Sequence, residues 1–91
     1  SAADVEAVEV LAASDDDLLE RFGRWYIAER DPRYLRRNAL VVLGNTADAD
    51  DPAVVQALRE NLNASDPMLR GHAEWAALEL GRVDLLGGTV K

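Results

Sequence analysis

The sequence predicts an all-α domain, built as a short stack of antiparallel helix pairs with four to five helices. All three prolines follow aspartate, at 31–32, 51–52 and 66–67, and this pair is typical of a helix start because Asp caps and Pro tolerates the first turn. Apolar residues then recur every three or four positions, as on one face of a helix. Ninety-one residues, 48% of them hydrophobic, suit one small folded domain.

The first two helices are predicted over 4–11 and over 15–22, with an extension of the second towards residue 28. Ser14 and the three aspartates that follow it complement a helix N-terminus. The helix that follows them places its apolar residues on one face: Leu18, Leu19, Phe22, Trp25 and Tyr26.

Three further helices are predicted over 32–43, 52–62 and 67–80, one after each Asp-Pro pair. The first is expected to stop at Gly44-Asn45, the second at Asn63 and the third at Gly81. Their apolar stripes are Leu35, Ala39 and Val42; Val55, Leu58 and Leu62; and Leu69, Ala73, Ala76 and Leu80.

Two stretches repeat, "DPRYLRRNALVVLG" and "DPMLRGHAEWAALELG", and their Leu-Arg and Ala residues align at a shift of 34 residues after a one-residue gap. Each begins with Asp-Pro, continues through Leu-Arg and Ala, and closes on Gly, and the second closely resembles a HEAT-like repeat. We therefore predict one domain over 1–91. Its parts are an N-terminal helix or linker (1–13), a first repeat (14–45), a second repeat (51–82) and a tail (83–91).

Charge is distributed unevenly along this acidic chain, whose formal net charge is −7. Residues 21–37 hold six arginines and two acidic residues, a local excess of four positive charges. Arg36 and Arg70 occupy the same repeat position, so we expect a structural role in which they pair with aspartates between stacked repeats. Asp31 and Asp66 belong to the same repeat framework as helix caps.

Arg33 and Arg37 have no counterpart in the second repeat, so symmetry does not explain them. With Arg24, Arg30 and Tyr34 they form the mixture of basic and aromatic residues that holds RNA backbone and bases. The plainer interpretation is that the arginines are only solvated and that the neighbouring Trp25 and Tyr26 belong to the core. The sequence leaves both interpretations open.

Met68 and Trp75, on a second flank of the last predicted helix together with His72 and Glu79, are either packed internally or a docking surface. The lone His72 is expected to be structural. The acidic stretch "DADDP" (48–52) lacks the spacing of a calcium loop, and a solvated turn with a helix cap is expected there.

No catalytic group and no metal site can be named, since the chain has no cysteine and one histidine. No apolar run approaches the ~20 residues of a membrane span, and the acidic start is unlike a signal peptide. A cytoplasmic location is expected.

The stretch "GRWYIAERDPRYLRRNALVVLGN" (23–45), followed by the HEAT-like second repeat, resembles the C-terminal region of epoxyqueuosine reductases. Arg37, Asn38, Gly44 and Asn45 match that family's pattern of an arginine and an asparagine before an apolar helix ending in Gly-Asn. The resemblance covers roughly residues 4–82.

These relatives are cobalamin-dependent iron–sulfur proteins of queuosine biosynthesis, and their C-terminal region helps to hold the tRNA anticodon stem-loop. The resemblance implies that the cluster-binding and cobalamin-binding parts lie upstream, so this chain would be an excised C-terminal domain that is not an enzyme alone. It also adds Asn38 to the nucleic-acid-binding residues. The alternatives are a HEAT-like protein-interaction scaffold and, least favoured, an independent enzyme.

Overall fold

A computed structural model describes residues 2–22 and 31–87, and these residues form helices with no β-strand among them. The all-α prediction is confirmed. None of the described helices is long and apolar enough to cross a membrane. The helices within these ranges are α1 (Ala2–Ala12), α2 (Asp15–Phe22), α3 (Arg33–Thr46), α4 (Pro52–Leu62), α5 (Pro67–Glu79) and the short α6 (Asp84–Gly87).

The helix starts follow the capping residues of the sequence. Asp51 and Asp66 each accept a hydrogen bond from the backbone N–H two residues ahead, at 2.9 Å, and so cap α4 and α5. Asp31 accepts from the Arg33 N–H in the same way, at 3.0 Å. Ser14 caps α2 by accepting from the Asp17 N–H at 3.1 Å. The predicted extension of α2 towards residue 28 lies outside the described residues.

Of the three predicted helix stops, two are correct and one is wrong. Helix α4 ends at Leu62 with Asn63 as its C-cap, as predicted. Gly81 follows α5 with φ +72°, and the Arg82 N–H donates to the carbonyl of Ala77 at 2.8 Å, which is the backbone pattern of a glycine stop. The predicted stop at Gly44-Asn45 is wrong, because α3 continues through both residues to Thr46. Gly44 instead allows α5 to pack closely against α3.

Four helices form two rows. One row consists of α3 and α5, which lie side by side, and the other consists of α1 and α4. Across the two rows, α3 packs against α1 and α5 packs against α4. In the other row, the helix that packs most extensively against α3 is α1, although the sequence predicted α1 as part of an N-terminal segment (1–13) outside the first repeat. In the sequence α2 lies between α1 and α3, and its fully buried Leu18 packs into the core.

The core lies between the two rows. Small side chains on α5 let the neighbouring helices approach closely, and leucines of α2, α3 and α4 fill the centre. On α3 the buried face is rotated by about one position from the predicted stripe, because Leu40 and Leu43 are buried more deeply than Leu35 and Val42. On α5 the predicted residues Leu69, Ala73 and Ala76 are buried. Residues with no exposed surface are Leu18, Leu40, Leu43, Leu58, Ala73, Ala76 and Ala77.

Helices α3 and α5 run side by side in the same direction. At one end the Arg33 side chain, in the first turn of α3, contacts Asp66, the residue before α5. Towards the other end Gly44 lies against Trp75 and Ala76. The two helix starts therefore share one edge of the molecule, and a continuous surface runs from that edge along both helices.

Candidate nucleic-acid interface

Tyr34 lies between two arginines on the first turns of α3. The guanidinium carbon of Arg33 is 5.4 Å from the centroid of the Tyr34 ring, and that of Arg37 is 5.3 Å from it. At these distances both cations are attracted by the π face of the ring. The structure thus brings together three of the residues that the sequence assigned to nucleic-acid binding.

Arg33 is nevertheless engaged by a carboxylate. Its Nε donates to Asp66 Oδ2 at 2.8 Å and its Nη2 to Oδ1 at 3.2 Å, which is the bidentate geometry that guanidinium and carboxylate favour. Asp66 also caps α5, so one carboxylate joins the starts of two helices. The hydrogen bond from Arg33, and then that from the Met68 N–H, hold the pKa of Asp66 below its ordinary value.

The ion pair between repeats is therefore made by Arg33, whereas the sequence analysis expected Arg36 and Arg70 to make it. Arg36 donates to the Ala13 carbonyl at 2.7 Å and to Asp15 at 2.9 Å. Arg70 donates to the carbonyls of Ala64 and Ser65 at 2.9 and 3.1 Å. Arg36 thus pairs with an aspartate as expected, but with one inside the predicted first repeat, and Arg70 forms no salt bridge with a described aspartate, so neither makes the expected pair between repeats. What they share is a hydrogen bond to the turn that follows α1 or α4, and this is a structural role.

Arg37 differs from the other two arginines of α3. Its Nε and Nη2 donate to the side-chain oxygen of the adjacent Asn38, at 3.3 and 3.0 Å. Within the described ranges no carboxylate forms a salt bridge with it. Its positive charge is held in place by an amide and an aromatic ring and is not neutralised by the part of the chain that the structure describes, so it can still attract an anion.

Two of the assigned binding residues, Arg24 and Arg30, lie in residues 23–30, outside the described residues, as do Trp25 and Tyr26.

The acidic turn before α4 is as predicted at Asp48 and Asp51: the first accepts from the Asp50 N–H at 2.9 Å, and the second caps the helix. In residues 2–22 and 31–87, no three His, Asp or Glu side chains are arranged to hold a metal ion.

An open groove of about 500 Å³ runs between α3 and α5. Met68 and Trp75, assigned to docking from the sequence, both line it and are both half-buried. No acidic residue is among the described residues that line it, although the chain has seventeen. The residues that line the groove are Val41, Asn45, Pro67, Met68, Gly71, His72 and Trp75.

The Trp75 ring is seated on the backbone of Gly44. A Cβ added to Gly44 would lie 2.5 Å from Cζ3 of Trp75 and 3.1 Å from the Ala76 Cα, both closer than ordinary contact. Gly44 is therefore required for the close approach of α3 and α5, and it contacts the Trp75 ring that lines the groove.

Two polar groups face this otherwise apolar groove. The His72 Nδ1 lies 2.9 Å from the carbonyl oxygen of Met68. Because that oxygen can only accept, Nδ1 carries the proton and the Nε2 of a neutral ring is an acceptor. Asn45 is exposed, and its side-chain amide has no hydrogen-bond partner among the described residues. The groove thus offers aromatic and aliphatic surface with two hydrogen-bonding groups.

Sequence reasoning found Met68 and Trp75 but missed Val41, Asn45 and Gly71. The available signal was Gly71 itself, a glycine in the middle of a predicted helix at the repeat position that Arg37 occupies in the first copy.

Comparison with protein-family models found no match, and comparisons with curated proteins and with solved structures found none either.

Proposed function

We propose that this chain is a non-catalytic HEAT-like domain of an epoxyqueuosine-reductase-like iron–sulfur protein and that it helps to hold a tRNA anticodon stem-loop. The proposal combines the resemblance of residues 23–45 to that family with the placement of Arg37. The observation that carries the binding role is the Arg37 guanidinium, which is held by Asn38 and Tyr34 and not neutralised by any carboxylate of residues 2–22 and 31–87.

The contacts of the three arginines of α3 support different roles for them. The side chain of Arg36 is only 15% exposed and belongs to the fold. The side chain of Arg33 is 38% exposed, but it forms a bidentate ion pair with Asp66. Arg37 is thus the phosphate ligand of this helix, and Tyr34 is the aromatic group beside it. Arg24 and Arg30 are further proposed phosphate ligands on the preceding segment. Remote carboxylates oppose RNA binding little, because the Debye length is about 8 Å at physiological salt.

Cofactor chemistry belongs to other parts of the proposed parent. Iron–sulfur clusters are held by cysteine thiolates, and this chain contains no cysteine. Clusters and cobalamin would be bound by an upstream catalytic domain of the same polypeptide. The reading frame upstream of Ser1 tests this directly: a segment with clustered cysteines is expected there, and its absence would remove the proposed parent.

The RNA-binding role is tested by a salt titration of an anticodon stem-loop against Arg37→Gln. Loss of one phosphate contact should flatten the slope of log affinity against log salt by about 0.7–0.9. The matched control is Arg59→Gln, which removes the same charge from an exposed position on α4. Equal slopes for the wild type and the folded Arg37→Gln variant would refute the role of Arg37.

A protein-interaction scaffold is the second candidate function, and the apolar groove beside Trp75 favours it. A half-buried Trp and Met in an open groove are typical of a surface that another chain covers. Capture of the same partner from RNase-treated and untreated extract, with loss of capture after blocking the groove, would support this candidate over RNA binding.

A further inference from the structure

The groove between α3 and α5 continues the surface that carries Arg37. Arg37, Val41 and Asn45 are spaced by four residues on α3, so they lie on one face, about 6 Å apart along the helix axis per step. The cation thus stands one turn before Val41, the first groove residue of α3. A nucleotide whose phosphate contacts Arg37 has its base within reach of the groove.

We propose that this groove takes an unpaired nucleobase of the RNA whose backbone Arg37 contacts, which rests on the proposed RNA-binding function. Three observations on the described residues carry the proposal: the absence of acidic lining residues, the half-buried Trp75 ring, and the free polar groups of Asn45 and His72. A base has apolar faces for stacking and a polar edge for hydrogen bonds, and the groove offers a partner for each.

Charge complementarity favours a nucleotide in this location. In a chain of net charge −7, the described residues that line the groove include no carboxylate, and Arg37 is the nearest charged residue on α3. Among the described residues that line the groove, a polyanion meets no like charge. When Nδ1 of His72 donates to the Met68 carbonyl, the unprotonated Nε2 is an acceptor, and the Asn45 amide both donates and accepts, which together suit the exocyclic groups of a base.

Gly71 gives a test that leaves the fold intact. It is exposed within α5, lines the groove, and a Cβ added to it would contact nothing within 4 Å. In Gly71→Phe the new ring lies one turn before Trp75 and fills the groove. Gly71→Ala is the matched control, since it makes the same change to the backbone but leaves the groove open.

The measurement is the Kd of each variant for two RNA hairpins with the same stem, one with a normal loop and one with an abasic loop. Gly71→Phe should weaken binding of the normal hairpin by roughly 5- to 150-fold relative to Gly71→Ala, as expected for loss of one stacked base. The abasic hairpin should bind both variants equally, with the affinity that Gly71→Phe shows for the normal one. Asn45→Ala, at an exposed position, should weaken only the normal hairpin.

The outcomes separate this inference from the function on which it rests. If Arg37→Gln flattens the salt slope but Gly71→Phe and Gly71→Ala bind the normal hairpin equally, the groove takes no base while the backbone contact stands. If Gly71→Phe weakens both hairpins equally, the groove contacts the backbone and not a base. If RNA does not bind and a protein partner is lost on Gly71→Phe, both proposals fall and the groove is a protein-docking site.

Discussion

Two glycine-to-alanine substitutions in neighbouring helices should have opposite effects on stability. Both Gly44 and Gly71 lie inside helices, where Ala is favoured over Gly by about 1 kcal/mol. At Gly71 the added methyl meets nothing within 4 Å, so Gly71→Ala should raise the free energy of unfolding by ~0.5–1 kcal/mol. The expected gain is the propensity term alone.

At Gly44 the same methyl group would overlap its neighbours. Its Cβ would lie 2.5 and 2.9 Å from two atoms of the Trp75 ring and 3.1 Å from the Ala76 Cα. The ring can swing towards the open groove, but the backbone of Ala76 is fixed in the core. Overpacking of this kind costs about 1–3 kcal/mol, which exceeds the gain in propensity, so Gly44→Ala should lower the free energy of unfolding.

The difference in the free energy of unfolding between Gly44→Ala and Gly71→Ala measures the cost of overpacking, because the gain in helix propensity is nearly the same in both variants. It should be about 1–3 kcal/mol, or roughly 1 M or more between the urea midpoints of so small a domain. The assay is urea unfolding followed by circular dichroism, with the slopes compared to check that the denatured states are alike. If Gly44→Ala stabilises the domain as much as Gly71→Ala does, the seating of Trp75 on Gly44 is wrong.

Two further predictions concern the helix caps. Asp51→Ala removes the acceptor for the Ala53 N–H and should lower the free energy of unfolding by ~0.5–2 kcal/mol; Asp66→Ala should lower the unfolding midpoint further, because Arg33 also loses its partner. An equal midpoint for the two variants would contradict the role of the Arg33 pair. The second prediction is a pH dependence: since the folded pKa of Asp66 is lowered, its contribution is present above the unfolded carboxyl pKa of about 3.9 and is lost as pH falls through the folded pKa. The stability difference between wild type and Asp66→Asn should therefore shrink on acidification below about pH 4, and a difference independent of pH would show that the ion pair does not form.

The sequence alone was sufficient for the class of fold and for most helix starts. These depend on local chemistry: an aspartate oxygen reaches an N–H two residues ahead, and proline fixes the first turn, whatever the rest of the chain does. Asp51, Asp66 and Ser14 therefore act as the sequence predicts. The glycine stop at Gly81 is equally local, because only a residue that tolerates positive φ completes it.

Tertiary structure decided what each arginine and glycine does. Arg33 and Arg36 are both basic residues of one helix, and only the position of Asp66 across the interface determines that Arg33 makes the ion pair between repeats. Gly44 resembles a helix stop in sequence, but the neighbouring Trp75 makes its missing side chain a packing requirement. Charge neutralisation and close packing depend on groups more than thirty residues apart, and helical spacing along one segment carries no information about them.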